Sequence, residues 1–125
     1  MNDPGCEPVF IISVAARLLE MHPQTLRKYE REGLIAPSRT TGNLRLYSDE
    51  DLARLRQVKY LVGERGLNLA GVQLALEATH RLRSLQIRLD ETASGADPHL
   101  DRLRADVHAL MTLLGAGALE PDRGR

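Results

Sequence analysis

The stretch Ile12-Ser13-Val14-Ala15-Ala16-Arg17-Leu18-Leu19, followed by His22-Pro23-Gln24-Thr25-Leu26-Arg27-Lys28-Tyr29, decides the fold. Ser13 is a residue type suited to an N-cap, and Val14, Ala15, Leu18 and Leu19 then place an apolar stripe on one helix face. Pro23 is favoured at the first helical position, so it opens a second helix. Gly33 is a natural left-handed stop for that helix. Two short helices joined by about three residues are a helix-turn-helix signature. The second helix carries Gln24, Thr25, Arg27, Lys28 and Arg31 near its exposed N-terminal half, an equipment that suits the major groove of DNA.

Working outward, Leu34 to Tyr47 reads as an extended hairpin. Pro37 and Gly42-Asn43 mark its turns, and Leu44 to Tyr47 alternate in polarity. Ser48, with Asp51 after it, predicts a capped third helix whose buried stripe is Leu52, Leu55, Val58 and Leu61 or Val62. Gly63 and Gly66 end it. Asn68 caps a short fourth helix through Val72, Leu74, Ala75 and Leu76. A fifth is expected over roughly 80–93, with Leu82, Leu85 and Leu89 at helical spacing. Ser94-Gly95-Ala96 breaks it, and Asp97-Pro98 restarts a helix. Leu100, Leu103, Val107, Leu110 and Leu114 there form a coiled-coil seam. Such a helix is marginal alone and must pack on a second chain or back on the fifth helix of its own chain; pairing with a second chain is the favoured expectation.

The chain has 125 residues and no formal net charge. It is 42% hydrophobic and 27% charged, enough apolar content for a core. The distribution of charge matters more than its total. Residues 22–65 hold nine basic and six acidic side chains, so a basic face can form on a neutral chain. All four aromatic residues, Phe10, Tyr29, Tyr47 and Tyr60, lie in the first half, and the Leu-, Ala- and Arg-rich second half suits helix-on-helix packing. One cysteine, Cys6, excludes an intramolecular disulfide and fits a reducing cytosol. Neither a signal peptide nor an apolar run of the roughly 20 residues a membrane span needs is evident.

Catalysis finds no support. Ser13 and Ser48 stand at cap positions, and no triad spacing or glycine-rich phosphate loop occurs. Cys6, His22, His80, His99 and His108 lack metal-ligand spacing, so neither metal nor cofactor is expected. Within the second helix Gln24 and Lys28 share a face, as do Arg27 and Arg31. Glutamine pairs with adenine, and lysine or arginine with guanine or phosphate. Arg39, Asn43 and Arg45 lie on or beside the hairpin turn, with Tyr47 following. Lys59 offers one more phosphate contact from the third helix.

The pattern resembles the DNA-binding domain of the MerR family of bacterial regulators. The matching positions are Ile12 to Ala16, Thr25 to Glu30, Gly33-Leu34-Ile35, Pro37, Arg39-Thr40, Arg45, Tyr47-Ser48, Asp51-Leu52, Leu55 and Gly66. Met21 to Arg27, with Asn68-Leu69-Ala70-Gly71-Val72, is most similar to the family's heat-shock repressors; the second element also nearly occurs in its nitrogen regulators. The resemblance implies a mainly α fold: a winged helix-turn-helix with a small β-hairpin wing, followed by C-terminal dimerisation helices. It divides the chain into a flexible tail (1–9), the DNA-binding domain (10–78), a helical dimerisation region (79–114, broken at 94–98) and a second flexible tail (115–125). It makes the hairpin a wing on the flanking DNA, and Tyr29 a phosphate contact. Leu82, Leu85, Leu89 and the Leu100–Leu114 seam become dimerisation residues. It further implies a cytoplasmic, nucleoid-associated repressor of chaperone genes that binds an inverted repeat as a homodimer, with the DnaK chaperone as co-repressor. Two departures stand out: Lys28-Tyr29 where many members have paired tyrosines, and the interruption at Ser94 to Pro98. The alternatives are a regulator responding to nitrogen or a small molecule, and a helical protein–protein adaptor.

Overall fold

A computed structural model describes residues 9–92 and 97–116. Residues 1–8 and 117–125 of the expected tails, and 94–96 of the expected break, lie outside the described residues; Gly115 and Ala116, assigned from sequence to the second tail, are buried. The element order is β1 (Val9–Ile11), α1 (Ile12–Leu19), α2 (Pro23–Arg31), β2 (Ser38–Arg39), β3 (Arg45–Ser48), α3 (Asp49–Gly63), α4 (Leu69–Thr92) and α5 (Pro98–Leu113). The chain divides into two compact units, with the division falling in α3 between Val58 and Lys59.

In the first unit, α1 buries Ala15, Ala16 and Leu19. Ser13 does not cap it: Ile11 is the N-cap residue, makes no side-chain cap bond, and Ser13 lies inside the helix. Leu18, expected in the stripe, is 48% exposed. The turn to α2 is made by Glu20 in the left-handed region (φ 54°), with Met21 N–H donating to the Ala16 carbonyl at 2.9 Å. Pro23 opens α2, as its fixed φ favours. The N-cap is His22, whose Nδ1 accepts from Gln24 N–H at 3.1 Å. Gly33 (φ 79°) ends the helix in a Schellman motif. Its N–H donates to the Glu30 carbonyl at 3.0 Å, and Leu34 N–H to the Tyr29 carbonyl at 2.9 Å.

β3 is the middle strand of an antiparallel sheet, ordered β1-β3-β2. β2 and β3 form the expected hairpin, closed by Asn43 in the left-handed region (φ 69°). β1 was not expected; it takes in Val9, assigned from sequence to the tail, and sets Phe10 opposite Tyr47. Ser48 and Asp51 then form a reciprocal capping box on α3, with N–H to side-chain oxygen distances of 2.9 and 3.1 Å. Leu52, Leu55, Val58 and Leu61 are all buried, whereas Val62 is exposed.

In the second unit, the expected fourth and fifth helices are one: α4 runs for 24 residues without a break. Nothing between Leu76 and His80 is glycine or proline, and the Thr79 hydroxyl is satisfied on the Ala75 carbonyl at 2.8 Å. Asn68 caps α4 through Gly71 N–H at 2.9 Å. Leu74, placed on its buried face from sequence, is 71% exposed. α5 begins at Pro98 behind the Asp97 N-cap, whose side chain accepts from His99 N–H at 2.9 Å.

α5 packs back along α4 of its own chain. Val107, Met111 and Ala116 are the buried centre, with Leu82 and Leu89 against them, and Arg104 Nε lies 3.4 Å from Asp90. Of the two packings open to the seam, a second chain or the preceding helix of its own chain, the described residues make the second. Val107 (5% exposed) is used within the chain, and Leu100 and Leu114 are half-buried. Met111 takes the inward place the sequence had given to Leu110. Leu103 and Leu110, seven residues apart and so on one flank of α5, stay 49% and 47% exposed. Leu85 on α4 is exposed as well.

Candidate nucleic-acid interface

The polar face of α2 is turned outward, but Lys28 and Arg31 lie in its last turn and not near its N-terminal half as the sequence suggested. Leu26 and Tyr29 are buried, which turns the opposite face outward. Gln24, Lys28 and Arg31 are exposed, and Thr25 and Arg27 are half-exposed. The Arg27 guanidinium reaches Gln24 Oε1 at 3.5 Å, so the two polar groups sit together on this face. The N-terminal end of the α2 dipole adds a partial positive charge to these cations.

The wing adds Arg39 and Asn43, both exposed, and Arg45, half-buried. Its turn is held by Thr40 N–H to the Leu44 carbonyl at 3.0 Å and by Leu44 N–H to Thr40 Oγ1 at 3.1 Å. Arg39 Nη1 donates to the Asn43 carbonyl at 3.2 Å. α2 and the wing are tied by a residue that the sequence reading passed over as a site residue, Glu30. Its Oε2 accepts from Arg39 Nη2 at 2.9 Å and its Oε1 from Arg45 Nε at 2.6 Å. Burial pushes the Glu30 carboxyl up, but hydrogen bonds and charge from Arg45 and Arg39 outweigh it and hold the group below its usual range. The available signal was an acid among cations on the basic helix, aligned by nothing in sequence with arginines 9 and 15 residues away.

Two expected contacts are displaced. Tyr47 is fully buried at 0% exposure, so in this structure it has no surface to offer phosphate. Strand alternation explains this: Tyr47 shares a face of β3 with Arg45, which turns toward α2. Its hydroxyl finds no hydrogen-bond partner among the described residues, and burial pushes its pKa up. Tyr29 keeps only 8% of its surface and packs with the core, its pKa raised by burial and then by Glu32. Lys59 is exposed on α3 in the second unit.

Among the described residues, no group of three His, Cys, Asp or Glu side chains could hold a metal ion. No described helix is long and apolar enough to cross a membrane.

A basic helix in a helix-turn-helix frame, flanked by a β-hairpin wing, defines a DNA-binding regulator. The family model for MerR HTH family regulatory proteins matches residues 10–79, and the chain belongs to that family. It is 46% identical over 105 residues to the putative heat shock protein HspR of Streptomyces coelicolor, covering 82% of this chain and 70% of that protein. It is also similar to the transcriptional regulator GlnR of Bacillus anthracis, at 31% over 106 residues, 84% of this chain and 81% of that one. MlrA of Escherichia coli matches at 35% over 69 residues, 54% of this chain and 28% of that regulator. Family members are DNA-binding regulators, typically dimeric, and not enzymes.

Proposed function

We propose that this chain is a homodimeric transcriptional repressor of heat-shock or chaperone genes, bound to an inverted-repeat operator with DnaK as co-repressor. The observation that carries the DNA-binding part is the outward face of α2, where Gln24, Arg27, Lys28 and Arg31 stand together beside the wing. The heat-shock assignment is supported by the extent of likeness to the HspR protein, which spans most of both chains. DnaK comes from resemblance to the heat-shock repressors. Such a regulator works in the bacterial cytoplasm, on the nucleoid.

In this reading two copies of α2 enter successive major grooves, about 34 Å or a multiple apart. Gln24 and Arg27 meet base edges, Lys28 and Arg31 add guanine or phosphate contacts, and Arg39, Asn43 and Arg45 hold the flanking backbone. Leu85, Leu103 and Leu110 supply the apolar surface for the second copy. Repression follows from occupancy of the operator, and heat relieves it by drawing DnaK to unfolded proteins.

The test is fluorescence anisotropy on DNA from upstream of a chaperone operon, against a shuffled duplex, with and without DnaK. Specific binding tightened by DnaK is expected. Specific binding indifferent to DnaK would remove the co-repressor and leave the regulator. A nitrogen-responsive role is the second reading, favoured by Asn68-Leu69-Ala70-Gly71-Val72, an element that nearly occurs in the nitrogen regulators of the family.

A further inference from the structure

A carboxylate in the middle of a surface built to meet phosphate needs an explanation. At long range Glu30 repels the DNA backbone. At short range it does something else. It sits on the last full turn of α2, and its two oxygens hold the two arginines that frame the wing, one on β2 and one on β3. Arg39 continues the chain of bonds to the turn, where Nη1 meets the carbonyl and, at 3.4 Å, Oδ1 of Asn43. A line of polar contacts thus runs from α2 to the tip of the hairpin.

The wing needs such a tie. β2 is two residues long and both are exposed, so strand pairing and apolar burial fix its angle weakly. The grip on Arg45 is also specific in its geometry. Glu30 takes the Nε edge at 2.6 Å, which leaves both terminal nitrogens of the guanidinium as donors. A guanidinium fixed by one edge presents the other as a fork, the shape that suits phosphate.

We infer that Glu30 is a positioning residue for DNA binding. Its carboxylate locks Arg39 and Arg45, and through them the wing, against the recognition helix before DNA arrives. The inference rests on the DNA-binding reading above. It opposes a simple charge account, in which Glu30 only weakens attraction to phosphate; the two differ in sign.

The experiment compares wild type, Glu30→Gln, the pair Arg39→Ala with Arg45→Ala, and the triple variant. The probe is a duplex selected by the wild-type protein from random sequences, and affinity is measured by anisotropy. Glutamine keeps the shape but offers one acceptor oxygen, so one arginine is released. Binding by Glu30→Gln should fall about tenfold, the scale of a charged hydrogen bond lost. In the double-arginine background the same change should alter affinity less than about twofold, because Glu30 acts through those two side chains. In the free protein, amide exchange at Thr40 and Leu44 should quicken while α5 amides keep their rates, which separates a loosened wing from an unfolded chain. If wild type binds its duplex and Glu30→Gln binds equally or more tightly, the inference falls alone. A full effect surviving in the double-arginine background, or unchanged wing exchange, also overturns it. If no duplex is preferred by wild type, the DNA-binding reading falls, and this inference with it.

Discussion

Gly115 stands directly against the ring of Tyr60: a Cβ built on it would lie 2.5 Å from Tyr60 Cδ2 and 3.1 Å from Cε2. The same residue has φ 88° and closes α5, with Ala116 N–H donating to the Met111 carbonyl at 2.9 Å. Position and space both exclude a side chain. Gly115→Ala should destabilise the chain by about 1–3 kcal/mol in urea unfolding, through overpacking and the left-handed backbone. An unchanged midpoint would show that Tyr60 moves aside at no cost.

Tyr47 belongs to the core of the first unit and not to its surface. Its hydroxyl is buried without a partner among the described residues, so deleting it removes a desolvated polar group and no bond. Tyr47→Phe should leave DNA affinity within about twofold and leave stability equal or raised by up to about 1 kcal/mol. A clear loss of affinity at unchanged stability would return Tyr47 to the binding surface.

The helix-turn-helix was legible because its signals are local. Pro23 opens α2, Gly33 closes it, and Ser48 with Asp51 caps α3, each within a turn of the residue it acts on. The hairpin was legible for the same reason, through Gly42-Asn43. What sequence reasoning missed depends on contacts remote in the chain. β1 is three residues with one partly buried, a strand only because β3 lies beside it. Glu30 looked like an ordinary surface acid, since its partners are brought up by the fold. Tyr47 was read by its hydroxyl and not by its strand parity. In the C-terminal half the leucine spacing gave the helices but not their facing. Met111 and Val107 turn inward, and that rotation leaves Leu103 and Leu110 outside.

Those two leucines separate folding from assembly. Leu103→Glu and Leu110→Glu place charge on exposed positions, so the α4–α5 packing around Val107 and Met111 should survive. Sedimentation should show a shift from dimer to monomer with helicity retained. A dimer of unchanged stability in the double variant would move the interface elsewhere.

Acid stability reports on Glu30. Arg45 and Arg39 hold its folded-state pKa below the unfolded value, despite the opposing effect of burial. A depressed pKa contributes stability that is complete above the unfolded value, about 4.3, and is lost as pH falls through the folded value. The stability gap between wild type and Glu30→Gln should therefore narrow as pH drops from about 5 toward 3, followed by urea unfolding at each pH. A gap independent of pH over that range would mean that the carboxylate's charge contributes nothing.

The central claim is that α2 and the wing read DNA sequence. It is tested most directly by anisotropy of wild type and Arg27→Ala on a duplex selected from random sequences and on its shuffled counterpart, at several salt concentrations. The expected result is a preference of about a thousandfold or more for the selected duplex, with affinity falling linearly in log–log against salt. Arg27→Ala should lose at least about 1 kcal/mol on the selected duplex at fixed salt. Equal affinity of wild type for both duplexes, or an Arg27→Ala variant that binds the selected duplex as wild type does, would contradict the account.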